Sequence, residues 1–218
     1  MSATSPTRTS SPTNTLETLF ANASDSRDYA AGVLRRMVEI YQSLEATKVA
    51  EFIRILDRAI DEGNAIFIIG NGGSSAAASH MVNDLCVNNF VEGAPTVRAF
   101  SLTDNVPSLT AVANDLGYEN IFLRQLQQLM RPRDVVLALS VSGNSRNIVK
   151  AIEYANANGA VTVGISGFDG GWLAEHAGFA IHVPSTPDEY GPVEDVFATL
   201  GHIASGYLTL KRGLRLSH

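Results

Sequence analysis

The chain has very little cysteine: Cys86 is the single thiol in 218 residues. One cysteine excludes an intrachain disulfide framework and is typical of proteins from a reducing compartment, so we expect a cytoplasmic location. Long apolar runs are also missing, because no stretch approaches the roughly 20 residues that a membrane-spanning helix needs. We therefore expect a soluble protein with no membrane partner.

Basic residues are in the minority. Lys and Arg number 16 against 22 Asp and Glu, which gives a net charge of −6 and a pI of about 5.3. Such a chain lacks the basic surface on which nucleic-acid-binding proteins depend, so we expect no nucleic-acid partner. Hydrophobic residues make up 45% of the sequence, enough for the core of one domain of this length.

The first 14 residues, MSATSPTRTSSPTN, contain no apolar segment. A secretory signal needs one, so this stretch, rich in Ser, Thr and Pro, is interpreted as a disordered tail. A transit peptide is the alternative, with Arg8 as the only basic residue of the stretch. Residues 15–218 are expected to form a single domain with leading helices.

Helical and extended patterns alternate after the tail. Apolar spacing predicts two amphipathic helices, or one broken helix, over residues 15–46, and a further helix over 47–62. Short apolar runs then alternate with helical segments, which predicts an α/β fold with a parallel sheet between helices. The predicted strands cover residues 65–69, 96–102, 135–139, 161–165 and 179–183. The main predicted helices after the first strand cover residues 108–114, 118–130, 146–158 and 193–210, besides one that begins near residue 74.

The glycine turn, residues 70–74, joins the first strand to its helix. Gly70, Gly72 and Gly73 permit a tight turn with close backbone approach, and Ser74 suits a helix N-terminus. Free N–H groups and the positive end of the helix dipole attract a phosphate or a carboxylate there. The spacing is not that of a dinucleotide fingerprint, and the lysine of a nucleotide P-loop is missing. The turn is therefore predicted to bind an anion other than a nucleotide.

The serine loop, residues 140–145, follows the third strand and precedes another helix. It offers the hydroxyls of Ser140, Ser142 and Ser145, of which one is expected to be a structural N-cap. Three hydroxyls exceed what a cap needs, which favours phosphate binding. Ligands bind beyond the carboxyl ends of parallel strands, so we expect this loop and the glycine turn to meet in one site.

Four residues of metal-ligand type lie on two predicted helices. His80 and Asp84 are four apart and share a helix face. Glu194 and His202 are eight apart, a rise of roughly 12 Å, so both reach one ion only if their side chains lean toward each other. The set suggests zinc or another divalent ion.

Several of these segments together resemble one family. GNGGSSAAASH, LTAVANDLGYENIF, SxSGNSxNIVKAIE, ISGFDGG and the closing ExxxxxxxH helix are similar to the phosphoheptose isomerase family of SIS (sugar isomerase) domains. The resemblance implies a three-layer sandwich, with a five-stranded parallel sheet, and a homotetramer with active sites at subunit interfaces. It implies conversion of sedoheptulose 7-phosphate to D-glycero-D-manno-heptose 7-phosphate, usually with one zinc ion per subunit.

The resemblance also assigns roles by position. Asp84 matches a glutamate that acts as base and metal ligand, and His202 matches the histidine that acts as general acid and ligand. His80 matches another zinc ligand, and Glu194 replaces a glutamine ligand. The residues expected to bind substrate or its phosphate are Asn71, Gly72, Gly73, Ser74, Asp104, Ser140, Ser142, Ser145 and Glu194.

Besides Glu194, three departures from the family pattern leave alternatives open. Asp84 is one methylene shorter than the family's base, Val141 stands in place of a phosphate-binding threonine, and Asn88 in place of a frequent arginine. Val141, Asn88 and Glu194 raise the alternative that the substrate is another phosphorylated ketose, such as an octulose phosphate. A second alternative is a non-catalytic regulator that resembles the DnaA initiator-associating protein, although the retained carboxylates and histidines favour an enzyme.

Overall fold

The computed structural model describes residues 14–216. The tail predicted over residues 1–14 lies outside the described residues, apart from Asn14. The helices are α1 (Thr15–Asn22), α2 (Ser26–Gln42), α3 (Ala46–Asp61), α4 (Gly73–Asn88), α5 (Val106–Leu116), α6 (Ile121–Leu129), α7 (Arg146–Ala157), α8 (Gly171–His176) and α9 (Tyr190–Lys211). The strands are β1 (Ile66–Gly70), β2 (Ala99–Ser101), β3 (Val135–Ser140), β4 (Val161–Ser166) and β5 (Phe179–His182). No helix within 14–216 is long and apolar enough to cross a membrane.

The five strands form one all-parallel sheet in the order β2-β1-β3-β4-β5. This confirms the predicted α/β class and the five-stranded sheet. The direction in which strands are added to the sheet reverses between β1 and β3, because β2 lies on one side of β1 and β3 on the other. The crevice beyond the carboxyl ends of two such strands is where open α/β sheets bind ligands.

Alternate residues of β1 divide the core into two layers. Ile66 and Ile68 pack into a cluster that includes residues of α3, α4 and α9. Phe67 and Ile69 point to the opposite face and pack into a cluster that includes residues of α6, α7 and α8. Both clusters are fully apolar at their centres, as expected for strands buried on both faces. The result is the predicted three-layer sandwich.

A buried ion pair fastens the leading helices to the last one. Arg36 of α2 donates from Nε to Oε1 of Glu189 at 2.7 Å and from Nη2 to Oε2 at 3.0 Å. Glu189 is 0% exposed, is the residue before α9, and also accepts from the Thr186 N–H at 2.7 Å. Burial alone would raise the pKa of Glu189, but the hydrogen bonds from Arg36 and Thr186 bring it below its ordinary value. The pair fixes where α9 begins.

Several element boundaries differ from the predicted ones, among them those of the last helix and the second strand. The last helix begins at Tyr190 rather than at residue 193, because Pro192 fits the first turn of a helix, where no N–H donor is needed. The second strand is confined to Ala99–Ser101 instead of residues 96–102. It is an edge strand that pairs with β1 through three residues, so little holds its ends extended.

Candidate active site

Helices α4 and α9 run in the same direction along one face of the sheet and place the candidate residues in two groups. Near their first turns, the Ser74 hydroxyl donates to Glu194 Oε1 at 3.2 Å. Further along, the Nε2 atoms of His80 and His202 lie 3.3 Å apart. The sequence separations of these two contacts are 120 and 122 residues, so the helices keep a nearly constant register. One helix pair therefore carries both groups.

The first group lines a cavity of about 300 Å³ beyond the carboxyl ends of β1 and β3. The structure thus brings the glycine turn and the serine loop together at the point where the strand order reverses. The lining residues are Asn71, Gly72, Gly73, Ser74, Leu139, Ser140, Val141, Ser142, Ser145, Tyr190 and Glu194. Within this lining, Glu194 is the one side chain that ordinarily carries a charge at neutral pH, and neither Lys nor Arg contributes. Phosphate there would depend on hydroxyls and N–H groups.

The serine loop leaves the Ser145 hydroxyl without a capping partner, whereas the Ser142 hydroxyl accepts from the Asn144 N–H at 3.3 Å. Ser145 occupies the N-cap position of α7, but its side chain makes no capping hydrogen bond. The expected use of one serine as a structural cap is therefore not seen. Ser145 lines the cavity directly before the first turn of α7, where the N–H groups of a helix lack backbone partners. Val141 lines the same cavity with a buried isopropyl group, which donates nothing.

A reciprocal amide pair ties the glycine turn to α7. Asn71 donates from Nδ2 to Oδ1 of Asn147 at 3.0 Å, and Asn147 donates from Nδ2 to Oδ1 of Asn71 at 2.8 Å. The Tyr118 hydroxyl also donates to Asn71 Oδ1, at 2.9 Å. These bonds fix the Asn71 amide and leave one of its N–H donors for a ligand. Asn147 and Tyr118 were not identified from the sequence, although both lie within segments that carry the family resemblance.

The second group consists of His80, Asp84 and His202. Asp84 Oδ2 lies 3.5 Å from Nε2 of His80 and 3.6 Å from Nε2 of His202. Within residues 14–216, this is the group of three whose ligand atoms all lie within 4.8 Å of one another. Two imidazoles and a carboxylate form the donor set that zinc takes at catalytic sites with an open position. The residues therefore fit a divalent metal.

Glu194 lies outside this second group, contrary to the expected four-ligand set. Its carboxylate is bonded to Ser74 and lies so close over Gly73 that a β-carbon there would overlap it. Glu194 and His202 are eight residues apart on α9, a rise of about 12 Å along the helix axis. Their side chains do not bridge this distance, because Glu194 contacts Ser74 and His202 contacts His80. The structure thus brings together three of the four residues expected to be metal ligands, and Glu194 lines the cavity instead.

Asp104, expected to contact substrate, does not line the cavity. It follows β2 and accepts a short hydrogen bond from the Ser79 hydroxyl on α4. Ser101 and Thr103 join the same cluster, with hydroxyls 3.3 and 3.2 Å from that of Ser79. Ser79 was not identified from the sequence, although its position directly before His80 was a signal. The cluster fastens β2 to the helix that carries His80 and Asp84.

The sequence of the chain matches a known family of proteins. Residues 28–167 match the family model described as the SIS domain. The phosphoheptose isomerase of Akkermansia muciniphila is 40% identical over 158 residues, which are 72% of this chain and 82% of that protein. The phosphoheptose isomerase of Geotalea daltonii is 40% identical over 167 residues, 77% of this chain and 85% of that protein.

Solved structures show the same fold. The phosphoheptose isomerase from Neisseria gonorrhoeae aligns with a TM-score of 0.76 at 22% identity, covering 84% of this chain and 98% of that one. The one from Francisella tularensis gives a TM-score of 0.75 at 24% identity, covering 84% and 96%. The fold is that of a SIS-domain protein. With relatives 40% identical over most of its length, the chain belongs to the phosphoheptose isomerase family, so neither alternative raised by the departures is favoured.

Proposed function

We propose that this protein is an aldose–ketose isomerase that converts sedoheptulose 7-phosphate to D-glycero-D-manno-heptose 7-phosphate. One observation carries the proposal: a cavity between the glycine turn and the serine loop and a His–Asp–His group lie along the same pair of helices. Ser74 and His80 are six residues apart on α4, which is about 9 Å along the helix axis. An extended seven-carbon sugar phosphate can place its phosphate in the cavity and its first carbons beside the histidines.

The serine loop is proposed to hold the phosphate, through the hydroxyls of Ser140, Ser142 and Ser145 and the N-terminus of α7. The glycine turn is proposed to contact the sugar through Asn71 and Ser74. Asn71 suits this role because its carbonyl oxygen is already bonded to Asn147 and Tyr118, so it meets the substrate as a donor. A donor at this position matches a hydroxyl or phosphate oxygen.

Proton transfer between carbons 1 and 2 is proposed to depend on Asp84 and His202. Interconversion of a ketose and an aldose needs a base for the carbon-bound proton and an acid for the carbonyl oxygen. Asp84, with Oδ2 3.6 Å from His202 Nε2, is proposed as the base and His202 as the acid. The short distance between Asp84 and His202 supports the assignment, because the base and the acid act on neighbouring atoms, carbons 1 and 2 and the carbonyl oxygen, of one substrate.

A zinc ion is the proposed cofactor, one per subunit, with His80, Asp84 and His202 as the residues that would hold it. When bound, such an ion polarises a substrate carbonyl and stabilises negative charge on its oxygen. The donor set supports zinc over magnesium, because imidazole suits zinc whereas magnesium takes oxygen ligands.

A homotetramer with active sites at subunit interfaces is proposed as the assembly, in the cytoplasm. Apolar side chains exposed on α2 and α9 support the association: Leu34, Val38, Ile203, Tyr207 and Leu210. The free thiol of Cys86 is compatible with a reducing compartment. Light scattering of the purified protein tests the assembly by its mass; a monomer would refute it.

A panel of five- to eight-carbon ketose phosphates tests the substrate. Conversion of each to its aldose is followed by NMR at equal concentrations. We expect sedoheptulose 7-phosphate to have the highest kcat/KM, because the distance from cavity to histidines suits its length. Equal rates on all sugars, or a higher kcat/KM for the eight-carbon one, would refute the proposed substrate.

A further inference from the structure

Glu194 stands at an unusual place for a carboxylate, inside a cavity proposed to bind phosphate. Its Oε1 accepts from the Ser74 hydroxyl at 3.2 Å, and the carboxylate covers Gly73, the first residue of α4. Glycine at this position is what permits the approach, since any β-carbon would overlap the carboxylate oxygens. The carboxylate of α9 therefore occupies the first turn of α4.

The first turn of α4 is one of the two anion-binding ends in the cavity. Its N-cap residue is Gly72, which has no side chain to accept hydrogen bonds from the first N–H groups of the helix. These N–H groups and the helix dipole favour negative charge there. Glu194 supplies that charge from within the protein. An external anion at this end would have to displace the carboxylate or lie beside it, and two like charges in a cavity without Lys or Arg repel each other.

The second anion-binding end, at α7, has no such occupant. The Ser145 hydroxyl makes no capping bond, and among the residues that line the cavity no carboxylate other than Glu194 is present. The two ends of one cavity thus differ in electrostatics although both are helix N-termini after strands. A ligand with one phosphate and several hydroxyls fits: the phosphate meets α7, and a hydroxyl donates to Glu194.

We propose that Glu194 is a specificity-determining residue, which closes the α4 end of the cavity to anions and accepts a hydrogen bond from a sugar hydroxyl there. The enzyme consequently takes monophosphorylated sugars in one orientation and rejects ligands with a second phosphate or a carboxylate at the α4 end. The inference rests on the proposed function for the choice of a sugar phosphate as the ligand, but the charge asymmetry itself is a property of the cavity.

Calorimetric titration with inorganic phosphate tests the inference without turnover. We expect Glu194→Gln, which keeps the shape and removes the charge, to bind phosphate roughly tenfold more tightly than the unaltered protein, since a nearby like charge is lost. Glu194→Ala removes the carboxylate altogether and should also increase the affinity for phosphate. Asp195→Asn is the matched control, because it removes the same charge from the next, exposed residue and should change the affinity less than twofold.

Unchanged or weaker phosphate binding in both Glu194 variants, with folding verified by circular dichroism, would overturn the inference. An equal gain in Asp195→Asn would also overturn it, because the effect would then be a general charge effect on the surface. The proposed function fails separately: absence of isomerisation of sedoheptulose 7-phosphate by the unaltered protein contradicts the isomerase, whereas the phosphate titration reports on the cavity alone.

Discussion

The imidazoles of His80 and His202 meet across the α4–α9 interface with their Nε2 atoms 3.3 Å apart and their ring centroids 4.9 Å apart. Both rings point toward the same carboxylate oxygen of Asp84. Their ligand atoms and that of Asp84 all lie within 4.8 Å of one another, close enough to reach one ion. The pair is therefore the structural basis of the proposed zinc site.

Removal of either histidine should remove the metal. In His80→Ala and His202→Ala we expect the bound zinc, measured by elemental analysis after dialysis, to fall from about one per chain to below one tenth. The reason is that two of three protein ligands do not hold a catalytic zinc tightly. His176→Ala is the control, because that ring stacks on Trp172 away from the site and its loss should leave the zinc in place. Full zinc retention in His80→Ala would contradict the site.

Neutralising Asp84 should abolish turnover. For Asp84→Asn we expect kcat on sedoheptulose 7-phosphate to fall by about 10²–10⁴, the range that a general base contributes. Circular dichroism should show an unchanged fold, because asparagine keeps the shape of the side chain and the backbone carbonyl at this position still accepts from the Ser205 hydroxyl. An Asp84→Asn variant with normal kcat would remove Asp84 from the mechanism.

Breaking the amide pair should weaken substrate binding more than it slows turnover. Asn147→Ala leaves Asn71 held by Tyr118 alone and removes an acceptor from the Ile148 N–H. We expect KM to rise about tenfold with a smaller change in kcat, and stability to fall by about 1–3 kcal/mol because buried polar groups lose partners. Asn158→Ala, an exposed amide bonded to the Tyr154 carbonyl, is the control. A fall in kcat with KM unchanged would count against a positioning role.

The ion pair before α9 should contribute to stability in a pH-dependent way. Arg36→Gln leaves the buried Glu189 carboxylate without its cation, and we expect the free energy of unfolding to fall by about 3 kcal/mol in urea titrations. Arg35→Gln, at the next and exposed residue, should change it by less than about 0.5 kcal/mol.

The sign of the pH dependence follows from the pKa of Glu189, which is lowered in the folded protein. The stability that the pair contributes is present above the ordinary glutamate value of 4.5 and is lost as the pH falls through the lowered folded pKa. The difference in stability between Arg36→Gln and the unaltered protein should therefore shrink in acid. A difference that is constant from pH 7 to pH 3 would contradict this assignment.

The sequence was sufficient to predict the architecture because its signals are local. Each apolar run from β1 to β5 is short and bounded by glycine or polar residues, and alternation with helical spacing implies a parallel sheet. Strand order, by contrast, is not encoded in any single run, so the convergence of the glycine turn and the serine loop was expected only from the general behaviour of parallel sheets.

The site was predicted less completely, because side-chain partners depend on packing. Glu194 was expected beside His202 on the same helix, but the register of α9 against α4 sets it over Gly73 instead. Asn147 and Ser79 have no distinctive spacing, and their roles come from partners 76 and 25 residues away. Such partners are visible only once the chain is folded.

A coupled assay of metal and turnover is the sharpest test of the proposed zinc-dependent isomerase. Purified protein is analysed for zinc and then given sedoheptulose 7-phosphate with and without a chelator, while aldose formation is followed by NMR. We expect about one zinc per chain and conversion to the heptose 7-phosphate. The chelator should abolish this conversion, and added zinc should restore it. Zinc-loaded protein that leaves sedoheptulose 7-phosphate unchanged would contradict the proposed isomerase.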